Sequence, residues 1–445
     1  MYLKASRFFI AVSILLAVWG TSGVRMLPGA AMLASSSLAF AAAMLHVGFG
    51  GEPGGGRGLL KNPFFIPGLA MLALGAIQIL NPALSAAWAD GAYRAEETAH
   101  IGWLPSGVSG DFAFSNTFKG VAELASAFFF ACAAWTALRG GRPARFALKF
   151  FAANCALAAL LAVFQERERI GGIYGVLYSP SLFFGPLTYV NAAGALFVLG
   201  AASACAAAVL DMRGGGAWKL QAAVWAACAA ACAWAAYLSP SIGAKASGAL
   251  FVLFFAALCA VVSAKRRFGA KWAAAAAMTV LAAAAIGAAA FVPKYYGELH
   301  NQKRASLSSR LQMYPLSWEI FSKAPVFGSG AGSYPYMAAQ SSQPFARAAA
   351  AEGRNVNAAH NDLLTYLCEY GAAGGAAIAA AFALWAAALR RRMSSLGAAN
   401  AAVACGAAAC GAHSMADLFL HVPSTMFAFV LAMTLSCAVF ERGRQ

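Results

Sequence analysis

The chain has 445 residues, 61% of them hydrophobic and only 11% charged, with a formal net charge of +16. A soluble domain carries about 25% charged residues, so an ordinary soluble globular protein is excluded. The positive balance does not point to a nucleic-acid partner either, because the basic residues sit in small groups between long apolar runs.

Continuous Ala/Leu/Phe-rich runs of about 20 residues mark a polytopic helical membrane protein, whereas a β-barrel would alternate in segments of about 10 residues. The fold class expected is therefore all-α, a single integral membrane domain over residues 1–445. Twelve spans fit, near 7–23, 29–49, 64–84, 117–138, 147–165, 191–212, 220–238, 244–264, 272–293, 363–389, 397–417 and 422–440. The first run, Phe8 to Gly20, has a basic flank in Lys4 and Arg7. No small-residue cleavage site precedes the second run, so the first is read as a span and not a cleavable leader.

Alternate loops test this arrangement. One side holds Lys4/Arg7, Arg57/Lys61, Arg139/Arg142/Arg145/Lys149, Arg213/Lys219, Lys265/Arg266/Arg267/Lys271, Arg390/Arg391/Arg392 and Arg442/Arg444. Short basic loops face the cytoplasm, which places both termini inside. The opposite side holds the long loops 85–116, 166–190 and 294–362, of mixed charge. The inner loops are too short to build a pocket, so the functional face is expected outside, which in a Gram-negative cell is the periplasm.

Cysteines fall almost wholly within apolar runs, which argues against a disulfide framework. Cys228 and Cys232 share a helical face and are read as small packing residues in preference to a metal site.

The 294–362 loop, between the ninth and tenth spans, is where chemistry is expected. Leu311, Tyr314, Trp318, Ile320 and Phe321 after Arg310 have amphipathic helical spacing. Pro325 to Gly332 ends that helix in a glycine-rich turn. Two readings of the turn fit equally: exposed N–H groups that hold an anion, or a plain helix stop. A Ser/Gln/Ala-rich, mobile stretch follows to Asn357. His360 then falls at the entrance of the tenth span, where an imidazole can act as base near neutral pH and free helix N–H groups favour an anion. Asn361 or Asp362 can cap that helix. The bland alternative is an ordinary interfacial histidine.

Elsewhere the bland readings lead. Lys119 and Glu123 share one face of the fourth span and are read as a pair, although intramembrane charge is a functional hint. His413 and Asp417, four apart on one helical face, are read as a structural pair. His100 and Trp103 are read as membrane-interface residues, and Arg347 and Arg354 as solvated.

Taken together, Arg310 with Trp318, the Pro325–Phe327–Gly328–Gly330–Gly332–Tyr334 run, His360-Asn361-Asp362 with Leu364, and Glu369–Gly371–Gly374 resemble the hallmark region of the O-antigen ligase/O-antigen polymerase family. Two further segments resemble that family's patterns. One is Phe184-Gly185-Pro186 with Asn191 and Gly194, entering the sixth span. The other is His413-Ser414, Asp417, His421 and Pro423 near the C-terminus. One departure stands out: many members carry Ser-Arg-Gly between spans seven and eight, where this chain has Ser241-Ile242-Gly243, with Lys245 the nearest cation.

The resemblance implies a metal-independent glycosyltransferase of the inner membrane. Its donor would be an undecaprenyl-diphosphate-linked glycan. Its acceptor would be lipid A-core in a ligase, or another lipid-linked repeat unit in a polymerase. Arg310 would stabilise the leaving diphosphate and His360 would receive the acceptor proton, with Asp362 or Glu369 orienting it. Arg167, Arg169, Asn191 and Lys245 would contribute to the diphosphate and glycan site. A transporter of a lipid-linked or anionic substrate is the competing reading from another class. It is disfavoured because few charges lie at mid-membrane depth and no internal repeat is visible.

Overall fold

The computed structural model describes residues 1–23, 25–49, 59–89, 92–110, 115–177, 183–212, 218–268, 302–392 and 397–440. In chain order it contains α1 (Tyr2–Trp19), α2 (Met26–Phe49), α3 (Phe65–Leu80), β1 (Pro82–Ala89), β2 (Ala92–Glu97) and β3 (Gly107–Gly110). There follow α4 (Thr117–Ala137), α5 (Gly141–Arg167), α6 (Val190–Asp211), α7 (Trp218–Leu238) and α8 (Ile242–Phe268). The remaining helices are α9 (Gln302–Lys323), α10 (Tyr334–Ala339), α11 (Pro344–Ala351), α12 (Asp362–Arg392), α13 (Ala398–Ser414) and α14 (Pro423–Ser436).

Among the described residues, 8 helices are long and apolar enough to cross a membrane: α1, α2, α4 to α8 and α12. Helices α3 and α14 are apolar but shorter. The span expected at 272–293 lies outside the described residues.

Helix α6 is the centre of the bundle, with most of its surface buried against α5, α7, α8 and α13. Small residues permit this. A Cβ at Gly194 would sit 2.1 Å from Ala244 Cβ, and one at Gly200 would sit 2.5 Å from Cys155 Cβ. Where lipid is as apolar as any side chain, close backbone approach of this kind is what holds helices together.

The two ends of the bundle differ. One end gathers basic residues onto helix termini. Arg7 donates to Ala137 O at 3.2 Å, Arg145 donates to Phe440 O at 2.7 Å, and Lys149 pairs with Asp211 at 2.6 Å. Arg392 donates to Cys437 O. The basic residues near the start of α1, at the start of α5 and at the end of α12 thus lie at one end, while Arg57, Arg213, Lys271, Arg442 and Arg444 lie outside the described residues.

Two expectations are corrected at the opposite end. First, the chain is not purely α: β1 pairs antiparallel with β2 and parallel with β3, in the order β2-β1-β3. Once the chain leaves α3 at Asn81 it has no helix to satisfy its backbone, and pairing does so instead. Leu84, Ala86 and Val108 bury one face of this sheet against Tyr336 of α10. Second, the stretch expected to be mobile up to Asn357 contains α10 and α11, each with proline in its first turn. Tyr334, Ala338 and Ala346 pack on Leu316 and Ile320 of α9, so an apolar cluster orders a segment whose composition suggested a linker.

Candidate functional site

The glycine turn after α9 is a splice and leaves little for an anion. Helix α12 breaks at Gly371, where φ is 63° and ψ is −165°. The carbonyls freed by the break are met by the turn: Ser329 N donates to Cys368 O and Gly330 N to Glu369 O, each at 3.0 Å. In return, Ala372 N donates to Pro325 O at 2.8 Å and Ala373 N to Val326 O at 3.0 Å. Buried Gln78 of α3 clasps the junction, donating to Phe327 O and Glu369 O and accepting from Ala331 N. Gly328 also has positive φ, and a Cβ there would lie 2.3 Å from the Glu369 carbonyl. The turn's N–H groups are therefore spent within the protein, on carbonyls, on Gln78 Oε1 and, from Gly332 and Tyr334, on the Glu369 carboxylate.

This splice sets the start of α12 against the segment joining α13 to α14. Asn361 is the cap: its Oδ1 accepts from Leu364 N at 3.1 Å, and its Nδ2 donates to Met415 O at 2.7 Å. Asp362 N donates to Asp417 O at 3.1 Å. His360, just before the cap, has a φ of 48°. That conformation is uncommon for a residue with a side chain, and it is held by this clamp.

Asp417 is the hub. Its side chain is 1% exposed. Arg310 Nη2 lies 3.2 Å from Oδ2, and Arg310 Nη1 donates to Ala416 O at 3.0 Å. Tyr189 donates its hydroxyl to Oδ1, Leu418 N donates to Oδ1 at 2.8 Å, and His360 Nδ1 lies 3.5 Å from Oδ1. Asn191 Nδ2 donates to the Tyr189 hydroxyl at 2.8 Å. Burial alone would raise the Asp417 pKa. The imidazoles of His360 and His413 beside it, the Arg310 charge and the Tyr189 hydroxyl hold it well below the usual carboxylate range. Burial, then the Asp417 charge, push the Tyr189 hydroxyl well above its ordinary value, so it serves as a donor to a permanent carboxylate.

His413 completes the hub. Its Nε2 lies 3.8 Å from Asp417 Oδ2, too long for a good hydrogen bond, and both ring nitrogens are buried without a hydrogen-bond partner among the described residues. A Cβ at Gly243 would fall 2.0 Å from His413 Nε2. The glycine of the Ser241-Ile242-Gly243 segment thus makes room for this imidazole, a role that sequence alone did not suggest.

A second cluster lies beside the first. His421 Nδ1 is 2.6 Å from Asp362 Oδ1, Leu420 N donates to Asp362 Oδ2 at 3.0 Å, and the His421 ring stacks on Tyr366 at 4.1 Å. His421 Nε2 lies 4.0 Å from Glu369 Oε2. Burial opposes protonation of His421, but the Asp362 hydrogen bond and the charges of Asp362, Glu369 and Glu123 outweigh it and raise its pKa.

Of the residues expected from sequence, Arg310, His360 and Asn191 converge on Asp417. Asp362 and Glu369 do not orient His360; they belong to the His421 cluster, because the side chains of α12 point from the cap toward α4 and α14. The carboxylate at His360 is Asp417, which the sequence offered only as a partner of His413. Arg167, the last residue of α5, and Arg169 just after it are exposed, Arg167 lying 3.9 Å from Glu168, and no contact among the described residues joins them to the hub. Lys245 lies over the Tyr237 ring at 5.7 Å. Ile242 is exposed, so no cation stands at that position. Tyr189 was missed because a lone tyrosine before an apolar run carries no pattern of its own.

No curated protein matches the chain significantly. Residues 229–379, the stretch that carries Gly243, Arg310, the glycine splice and His360, match the family model for O-antigen ligase.

Proposed function

We propose that the protein is a glycosyltransferase at the external face of the inner membrane, with both termini in the cytoplasm. It takes glycan from an undecaprenyl-diphosphate-linked donor and transfers it to lipid A-core. The observation that carries this reading is the convergence of Arg310 and His360 on one buried carboxylate, Asp417.

In the proposed reaction the acceptor hydroxyl attacks the anomeric carbon of the donor. A new C–O bond forms there as the bond to the diphosphate oxygen breaks. With Nδ1–H of His360 turned to Asp417, Nε2 is left as the base that receives the acceptor proton. Negative charge grows on the departing diphosphate. Arg310 uses two of its nitrogens on Ala416 and Asp417, and a guanidinium has five N–H donors, so others remain for phosphate oxygens. Asp417, held ionised, fixes both groups at once.

The test is lipopolysaccharide analysis of a deletion strain carrying variants. His360→Ala and Arg310→Ala should abolish glycan on core while the protein still inserts in the membrane. Full activity in either variant overturns the assigned roles. A wild-type deletion that leaves a single repeat unit on core, in place of none, identifies a polymerase and overturns the choice of acceptor.

A further inference from the structure

A cavity of about 190 Å³ lies between α4, α12 and the 418–426 segment, next to the Asp417 hub but not lined by it. Lys119, Glu123, Asn357, Tyr366, Glu369 and His421 line it. Its chemistry is mixed. A bare cation would be repelled by Lys119 and a bare anion by Glu123 and Glu369, whereas a neutral polyol needs donors and acceptors together. The volume falls below the ~300–1,000 Å³ typical of drug-sized ligands, which leaves room for one small ring.

His421 makes the cavity a built site and not a chance void. Its ring is fixed on one side by Asp362 and on its face by Tyr366. Its Nε2 is buried, has no hydrogen-bond partner among the described residues, and is on the side of Glu369. A buried polar atom left without a partner is costly, and it lies in the wall of a cavity whose other polar groups come from two different helices. Asp362 joins this wall to the hub, since its amide donates to Asp417 O and its carboxylate holds His421.

Resting on the transferase reading above, we propose that this cavity is a sugar subsite, in which His421, Glu369, Glu123 and Lys119 hydrogen-bond the hydroxyls of one pyranose ring of the reacting glycan. The ring belongs either to the donor or to the acceptor, and the two share this chemistry.

The test is steady-state transfer by the purified full-length chain, with undecaprenyl-diphosphate-linked O-antigen as donor and lipid A-core as acceptor, each varied in turn. Glu123→Gln and His421→Gln should raise the KM for one of the two substrates about tenfold or more, as expected for a lost hydrogen bond to a charged group, while kcat changes far less. The substrate whose KM rises is the one whose sugar occupies the cavity. Unchanged KM values for both substrates, or a fall in kcat alone, overturn the subsite. If His421→Gln unfolds in a thermal melt, the half-buried Glu123→Gln decides. A wild-type protein that transfers no glycan defeats the transferase reading instead, so the two failures are distinguishable.

Discussion

Asp417 does at the residue scale what neither Arg310 nor His360 could do alone. A guanidinium and an imidazole are both flexible ligands for phosphate and hydroxyl, and a single buried carboxylate gives them a shared reference point. Asp417→Asn keeps the shape but removes the charge, so glycan transfer should fall by about 10²–10⁴-fold, the range that a positioned general base contributes, with expression and insertion unchanged on a membrane immunoblot. Gly243→Ala should reduce transfer as well, because its methyl group would displace His413 from beside Asp417.

Two titrations at this scale have opposite signs. The folded pKa of Asp417 is depressed, so its stabilisation is present above the ordinary aspartate value of about 3.9 and is lost as pH falls through the folded value. The folded pKa of His421 is raised, so its stabilisation is full below about 6.5 and is lost as pH rises through its folded value. The charges around it are Asp362, Glu369, Glu123 and Lys119. Thermal unfolding in detergent should show a midpoint that declines as pH rises above about 6.5, and His421→Gln should flatten the decline.

At the element scale, the break in α12 and the turn after α9 are one feature. Each glycine sits where the other backbone leaves no space: a Cβ at Gly371 would lie 2.4 Å from the Val326 carbonyl, and one at Gly328 would lie 2.3 Å from that of Glu369. Gly371→Ala and Gly328→Ala should each cost at least the ~1–3 kcal/mol of a strained backbone conformation, read as a lower melting midpoint, and should release the start of α12 that presents His360. Glu319 ties α9 to the start of α11, accepting from Ser341 at 2.8 Å and pairing with Lys323 at 3.1 Å. Slight burial would raise its pKa, but bonds from Ser341, Lys323 and Ser342 bring it down to about 2. Its contribution is therefore present above the ordinary glutamate value and lost only in strong acid.

The whole molecule separates a basic end from the end that carries the Asp417 hub. A phosphatase reporter fused after Arg354 should be active outside the cytoplasm, and one fused after Arg392 should be inactive. The reverse pattern would invert the orientation and move the hub to the cytoplasmic face. Much of this scale was legible in the chain. Apolar run length and clustered lysines and arginines are one-dimensional signals, since a span must be long enough to cross and its flanks must carry the sign that each side favours. Arg310, the glycines and His360 were legible too, because their spacing is local and resembles a family pattern. The small sheet was not, since its strands lack a clean alternation. The ordering of α10 and α11 was not either, since it depends on apolar contacts with α9.

The sequence by itself therefore determined that this is a polytopic membrane protein, and it singled out Arg310, His360 and the glycines between them. Only the tertiary structure decided which carboxylate lies beside His360, that Asp362 holds His421 instead, and that the glycine turn mends a broken helix with its N–H groups turned to the protein's own oxygens. The physical reason is distance along the chain. Asp417 and His421 lie in the 415–422 segment, more than fifty residues from His360 and Asp362, and they meet them only because the Gly328–Gly371 splice and the Asn361 cap lock α12 against that segment. Hydropathy and charge record what each segment prefers as solvent, but they carry no record of which buried groups will share a hydrogen bond.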